Sequence, residues 1–441
     1  MAQFFHAKQK PQQQKMLTLS ITGMDHQGRG IAKHNNKVYF VNGALPGEQV
    51  NALRVTDKAR FANCEVKKVL SASEYRTVPF CRQYDQCGGC QLQHFDVAQQ
   101  LVAKQTAVSQ LFGKFAKTTI LNWQAPLQGE SQHYRRSARI AVMHDKSSKR
   151  MRVGYRQQGS KQLISIEQCD VLSVRFNAVF PLFDSLINHH HELKSISHLQ
   201  LCEADNGCFI VIRHTKAISA EQKASVAEAC LKHNWLLVWQ SERQQIEQGS
   251  LPIPYYRLAH FQLELAFGLD NFIQVNPYIN EAMLKQAIDW LDLNGDEQIL
   301  DLFCGIGNFS LVLAKYAKYV IGVEGVSSAV AMATQNAHTN AITNTQFHCF
   351  DLTQTMQTAD WYSQSLDVLV LDPSRTGAMA ILEQLPLKQF KTILYVSCDP
   401  VTLARDSAII LQAGFSIKKI GLMNMFPHTG HIETMALFHR R

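Results

Sequence analysis

Residues 16–70 alternate apolar and polar positions in short runs, MLTLSITGM, NKVYFVNGALPG, EQVNALRVTD and FANCEVKKVL, with Gly, Asn and Pro between them. A period of two marks a strand with one buried face, and turn residues at each break predict successive hairpins. Five short strands in about 55 residues predict a small β-barrel of the oligonucleotide-binding size class. A helical period follows at 96–112. Residues 133–275 mix strand-like runs (RIAVMH, FIVIRH, WLLVWQ) with helical stretches. The last third changes character: EQILDLF, YVIGVE, LDVLVLD and TILYVS are short apolar runs separated by helical segments. That alternation predicts a parallel α/β sheet with crossover helices.

Composition narrows the class. A chain of 441 residues exceeds the usual single-domain ceiling. With 46% hydrophobic and 18% charged residues it is neither disordered, collagenous nor coiled-coil. No window approaches the roughly 18 unbroken apolar residues of a membrane span, and MAQFFHAKQKPQQQK has no apolar core suited to a signal peptide. A cytoplasmic protein without membrane contact is expected. The net charge of +8 is unevenly spread. Residues 1–70 carry eleven Lys/Arg against four Asp/Glu, residues 71–275 carry 22 against 17, and residues 276–441 carry 11 against 15. A basic front, with Lys33, Lys37, Arg54, Lys58, Arg60, Lys67 and Lys68 on the barrel, suits a polyanion partner. Ordinary surface charge explains the balance equally well on charge alone.

Eleven cysteines in a cytosolic chain do not suggest a disulfide framework. Cys202, Cys208 and Cys230 stand alone in apolar runs and read as core thiols. Cys81, Cys87 and Cys90 form C-x5-C-x2-C in a glycine-containing loop, a pattern suited to a metal or iron–sulfur centre. Cys169, in a polar turn, is the best fourth ligand. Spacing alone leaves zinc and iron–sulfur balanced.

QILDLFCGIGNFSLVLAKY reads as strand, glycine turn and helix, with Gly305 and Gly307 allowing close backbone approach to a ligand. Glu324 ends the next strand 19 residues after Gly305, where a carboxylate can accept from both hydroxyls of a ribose. The third glycine of the dinucleotide fingerprint is missing, which disfavours NAD. Asp301, Phe303 and Asn308 frame the loop. Asp351 is expected to end the third strand, placed for an adenine amino group, and Asp372 the fourth. Each acid alone might cap the next helix; three in register point to a ligand edge. Cys398, in TILYVSCDP, follows an apolar strand and brings a thiol to that edge. His428, His431 and Glu433 lie in MNMFPHTGHIETMALF. A metal site there finds no completion elsewhere, so a carboxylate proton acceptor is the better reading.

QVNPYINEAML, DLFCGIGNFS, LDPSRTG, YVSCDPVTLARD and FPHTGHIETM are similar to the signature segments of RumA-type RNA uracil-5-methyltransferases, which use S-adenosylmethionine. The similarity spans nearly the whole chain. It implies a Rossmann-like methyltransferase domain at 96–125 and 272–441, and an N-terminal OB-like TRAM barrel at 1–70 for RNA. Between them it implies a central α+β domain at 71–95 and 126–271 that carries an iron–sulfur cluster. Carried over residue by residue, it makes Cys398 the nucleophile and Glu433 the general base. Gln274, Phe303, Asn308, Glu324, Asp351 and Asp372 become cofactor-binding residues. Cys81, Cys87, Cys90 and Cys169 match the four ligands of a [4Fe–4S] cluster. The implied chemistry is attack of the Cys398 thiolate on carbon 6 of a uracil, which activates carbon 5 for methylation. A base reached this way is flipped out of its stack, with Phe426 as a stacking candidate.

Two positions depart from the family pattern. Asp399 follows the cysteine where relatives have Asn, so its carboxylate is expected to point away from the thiol. DPSR stands where Pro or Ala more often precedes the Arg. Relatives acting on the tRNA T-loop lack both barrel and cluster, and a second rRNA branch lacks the barrel. Having both implies an enzyme for one uridine of 23S rRNA, uracil-1939, with dual rRNA and tRNA specificity as the alternative; a monomer is expected. A radical S-adenosylmethionine enzyme is disfavoured by the C-x5-C-x2-C spacing, and a decayed RNA-binding module by the intact Cys398, Glu433 and Asp372.

Overall fold

A computed structural model describes residues 15–241, 246–247, 251–362 and 364–441; the opening segment 1–14, weighed above as a leader, lies outside them. The chain packs as two compact units. The first takes in the described residues up to Val78, with Gln91–Ala107 and His428–Gly430; the second takes in Pro79–Cys90, Val108–Pro427 and His431–Arg441.

The first unit holds a six-stranded sheet in the spatial order Met16–Ser20, Gln49–Asp57, Phe61–Ser71, Lys37–Asn42, Gly30–His34, Gly23–Met24. Five strands were expected because MLTLSITGM reads as one run. Its first half pairs with Leu53–Gln49 and its second half with Ile31–Gly30. Between them, at the bend, Ile21 N donates to Glu48 O and Thr22 N to Ile31 O. One bent strand thus serves both edges, which closes the barrel and satisfies its edge amides. Leu19, Ile21, Ala32, Val41, Val50, Ala52, Ala62 and Cys64 fill the interior. The helix begins at Val97, with the Asp96 carboxylate accepting from Gln99 N at 3.1 Å, and runs to Phe115, one turn beyond the expected end.

In the second unit, seven strands form a mixed sheet in the order Ile246–Glu247, Trp235–Gln240, Gly207–His214, Ile196–Ala204, Ser137–Asp145, Arg150–Arg156, Leu163–Ser165. The run FIVIRH is apolar throughout because both of its faces are buried. Cys208, Ile210 and Ile212 join one core with the helix Val179–His189, while Phe209 and Val211 join another with Tyr256, Ile279 and Met283. A strand buried on two sides loses its polar alternation.

The last third forms a second seven-stranded sheet in the order Thr345–Cys349, Tyr319–Glu324, Gln298–Leu302, Val368–Leu371, Thr392–Ser397, Glu433–Arg440, Phe415–Met423. The expected parallel pairing holds for the first five strands. Glu433–Arg440 is antiparallel to both of its neighbours. Strand order reverses between Gln298–Leu302 and Val368–Leu371, and such a switch point opens a crevice at the carboxyl ends of the strands.

Gly154 sits in the central sheet where a Cβ would stand 2.0 Å from Ile164 O. We expect Gly154→Ala to prise the edge strand Leu163–Ser165 from its neighbour and to cost about 1–3 kcal/mol. The check is thermal melting, and an unchanged midpoint would show that this edge is not held as described.

Candidate functional site at the carboxyl edge of the second sheet

The turn after Gln298–Leu302 carries three positive φ angles, Phe303 at 68°, Gly305 at 54° and Gly307 at 91°. A phenylalanine in this region is uncommon and marks a turn held by its surroundings. Part of that hold is Phe303 N donating to Val323 O at 2.9 Å. Glu324, at the end of its strand, accepts from Gly305 N at 3.2 Å and Val326 N at 3.0 Å. Its carboxylate therefore stands at the mouth of the glycine turn, as the sequence predicted. The helix that follows is only Ser310–Ala314.

Asn308 is gripped within the fold. Its Oδ1 accepts from Tyr256 Oη at 2.9 Å and Asn280 Nδ2 at 3.1 Å, and its Nδ2 donates to Asn280 Oδ1. Gln274 is fixed through its carbonyl, which accepts from Arg136 Nε at 2.8 Å. The Arg136 guanidinium lies 4.5 Å over the Tyr256 ring. Arg136, Tyr256 and Asn280 bracket the loop, and the sequence did not single them out. They come from three distant segments, and only Asn280 falls inside a recognisable motif.

Two acids lie at the switch point, Asp301 buried and Asp372 half-buried. Burial pushes Asp301 up to about 7 against the hydrogen bond from Ser310, and burial pushes Asp372 up to about 7. Asp301 Oδ1 has no protein hydrogen-bond partner. Asp351 departs from expectation: the third strand ends at Cys349, and Asp351 is exposed two residues on. Its carboxylate closes a local turn by accepting from Thr353 N at 3.0 Å and Thr353 Oγ1 at 2.7 Å.

Cys398 and Glu433 come together through strand register. Ser397 pairs with Thr434 as the last rung between their antiparallel strands, so Cys398 and Glu433 are the next residues outward on each. Burial, then Glu433, then Asp372, push the thiol up to about 11, and Arg375 acts the other way. These four side chains therefore share one neighbourhood. Asp399 points away from the thiol as expected. Its Oδ1 caps the helix Pro400–Gln412 by accepting from Val401 N at 2.9 Å and Thr402 N at 3.0 Å. The two histidines diverge. His428, at φ 63°, packs in the first unit with its carbonyl accepting from Gln91 N and Leu92 N. His431 Nδ1 lies 3.3 Å from Arg375 Nη2.

Cys81, Cys87, Cys90 and Cys169 are all half-buried in the second unit. Gly89 N donates to Cys87 Sγ at 3.4 Å, Gln83 N–H to the Cys81 sulfur, and Val171 and Leu172 N–H to the Cys169 sulfur. After burial, Cys87 and Cys81 contribute to holding the Cys169 thiol up, and Cys90 and Cys169 both act on the Tyr134 phenol. Backbone N–H groups aimed at neighbouring sulfurs fit a thiolate-bound group. Among the described residues, no group of three or more His, Cys, Asp or Glu side chains is set to hold a metal ion. Nor is any described helix long and apolar enough to cross a membrane.

Residues 96–441 match the tRNA (Uracil-5-)-methyltransferase family, and residues 12–71 match the TRAM domain. A protein of Pseudoalteromonas translucida, named 23S rRNA (uracil(1939)-C(5))-methyltransferase RlmD, is 67% identical over 100% of both chains. A protein of the same name from Shewanella halifaxensis is 42% identical over 99% of each. The fold matches that of the Pyrococcus abyssi tRNA (uracil-54, C5)-methyltransferase, solved with S-adenosyl-L-homocysteine. The TM-score is 0.74 at 19% identity, covering 96% of this chain and 100% of that one.

Asp301 predicts a pH effect. Its folded value lies above the unfolded one, so the native state holds a proton that the unfolded chain releases, and this contribution declines as pH rises from about 4 through about 7. Asp301→Asn should therefore raise the melting temperature of the ligand-free protein at pH 8 and change it much less at pH 4. Equal effects at both pH values would show that Asp301 is not held protonated.

Proposed function

The chain belongs to the tRNA (uracil-5-)-methyltransferase family, and we propose that it methylates carbon 5 of one uridine of 23S rRNA, uracil-1939, in the cytoplasm. The observation that carries the mechanism is the pairing of Cys398 with Glu433 one rung beyond Ser397 and Thr434, beside Asp372 and Arg375. All the reacting groups come from one chain, in keeping with a monomer. In domain terms, the barrel 1–70 grips RNA, 71–95 with 126–271 form the central domain, and 96–125 with 272–441 perform the transfer.

S-adenosylmethionine supplies an electrophilic methyl group on a sulfonium. Glu324 at the glycine turn would accept from the ribose hydroxyls, and Gln274, Phe303 and Asn308 would help to hold the cofactor, the roles that the family resemblance implies. Asp372, which acts on the Cys398 thiol, and Asp351 would complete the cofactor-binding set. Carbon 5 of uracil is too weak a nucleophile alone, and Cys398 remedies this. The thiol first gives up its proton to solvent; Sγ then bonds to carbon 6, the ring electrons shift to the carbon 4 oxygen, and carbon 5 becomes an enolate carbon. After carbon 5 has taken the methyl group, Glu433 removes its remaining proton. The carbon 5–carbon 6 double bond re-forms and the sulfur leaves as thiolate. At neutral pH the resting thiol is protonated, being pushed up to about 11. Arg375 is the charged group of this chain that counters that shift. The uridine must be flipped out for carbon 6 to meet Sγ.

Cys81, Cys87, Cys90 and Cys169 would hold a [4Fe–4S] cluster, supported by four half-buried thiols, with N–H donors at the sulfurs of Cys81, Cys87 and Cys169. The family resemblance favours iron over zinc.

Cys398→Ala should lower methyl transfer at least about a thousandfold. Glu433→Gln should stop turnover but let a methylated protein–RNA adduct accumulate, visible as a denaturation-resistant band. Retained transfer by the alanine variant would refute covalent catalysis. Mapping 5-methyluridine in rRNA and tRNA from cells with and without the protein separates rRNA specificity from dual specificity. Protein purified without oxygen should be brown and contain about four irons per chain; stoichiometric zinc without iron would overturn the cluster.

A further inference from the structure

The segment LARD in YVSCDPVTLARD has no part in the chemistry above, yet it contains a fully buried aspartate. Asp406 is 0% exposed, on the helix Pro400–Gln412 that starts two residues after Cys398. Its Oδ2 accepts from Tyr395 Oη at 2.7 Å and from Ala378 N at 2.7 Å, and its Oδ1 accepts from Arg405 Nε at 2.7 Å. Ala378 N also lies 3.1 Å from Tyr395 Oη, and Arg405 Nη2 donates to Thr376 O at 2.9 Å. Gly377, at φ 75°, lies flat against this group; a Cβ there would stand 2.5 Å from Asp406 Oδ2 and 2.6 Å from Arg405 Nη2. Tyr395 is buried three residues before Cys398 on the strand Thr392–Ser397.

The strand and helix that flank Cys398 thus grip the far end of the 372–378 loop. The near end of that loop bears Asp372, and Arg375 projects from its middle toward His431. Replacing a buried ion pair with apolar residues is often no worse for stability, so a buried carboxylate that ties strand and helix to Ala378 of the loop points to a geometric role.

We propose that Tyr395, Asp406 and Arg405 are positioning residues that hold the far end of the 372–378 loop, so that Arg375 stands beside the Cys398 sulfur, while Asp372 is held independently at the end of the strand Val368–Leu371. The proposal rests on the reading of Cys398 as nucleophile. Arg375 favours the thiolate at Cys398. A loop released at its far end carries that cation away and leaves Asp372, anchored at its strand end, where it is.

The test uses the full-length protein with Tyr395→Phe, which keeps the ring but loses the donor, and Arg405→Gln, which loses the grip on Thr376 at a partly exposed position. The rate of alkylation at Cys398 is followed by mass spectrometry of its peptide across pH, with Arg375→Ala as reference. Both clasp variants should shift the profile toward alkaline pH in the direction of Arg375→Ala, by roughly one unit or less. They should also lower kcat for methyl transfer about tenfold or more while KM for RNA moves less than about threefold. A parental alkylation profile in either folded variant overturns the proposal, as does a loss of kcat in both without any shift. The alkylation readout reports the geometry whether or not Cys398 is the nucleophile. Methyl transfer surviving Cys398→Ala would therefore sink the catalytic reading without deciding this one.

Discussion

The site depends on one register. In the second sheet the final strand, Glu433–Arg440, inserts antiparallel between Thr392–Ser397 and Phe415–Met423. Because Ser397 meets Thr434, the thiol of Cys398 and the carboxylate of Glu433 leave the sheet side by side. A slip of one residue would turn every side chain of that strand to the other face. Met435 and Leu437 are buried on one face and Thr434, Ala436 and Phe438 on the other, so the slip would force each set into a core shaped for the other and is disfavoured by misfit. Core packing, far from the reacting atoms, thereby sets the spacing of nucleophile and base.

Around that pair, charge is managed by burial. Asp301 and Asp372 lie where their ionised forms are poorly solvated, which lifts both to about 7. Glu324 lies at the rim of the same edge and spends its oxygens on the Gly305 and Val326 amides. A sheet edge lined with acids in this way suits a cationic ligand, whose charge compensates them.

The central sheet shows the same economy. Its strand Gly207–His214 buries residues on both faces, so it links the helical layer around Phe180 and Phe183 to the core beside Tyr256. Beyond Arg150–Arg156 the cysteine loop adds a short ladder, with Gly88 N donating to Arg156 O at 3.0 Å. The loop thus borrows the rigidity of a sheet for a segment without secondary structure of its own.

Local pattern determined the class of each region. Two-residue alternation encoded the barrel, apolar runs between helical segments encoded the parallel sheet, and the acids and the thiol at strand ends encoded a ligand edge. These depend on neighbours a few residues apart, which a sequence states directly. The motif resemblance added roles for Cys398, Glu433 and the four cysteines. Tertiary structure alone decided that MLTLSITGM bends to close the barrel, that Asp351 turns into its own loop, and that His428 and His431 part ways. It also decided that Arg136, Tyr256 and Asn280 bracket Asn308, and that Tyr395 and Asp406 clasp Ala378. Each of these is a contact between segments far apart in the chain. Such contacts are fixed by which strands become neighbours and in what register, and no local periodicity carries that information.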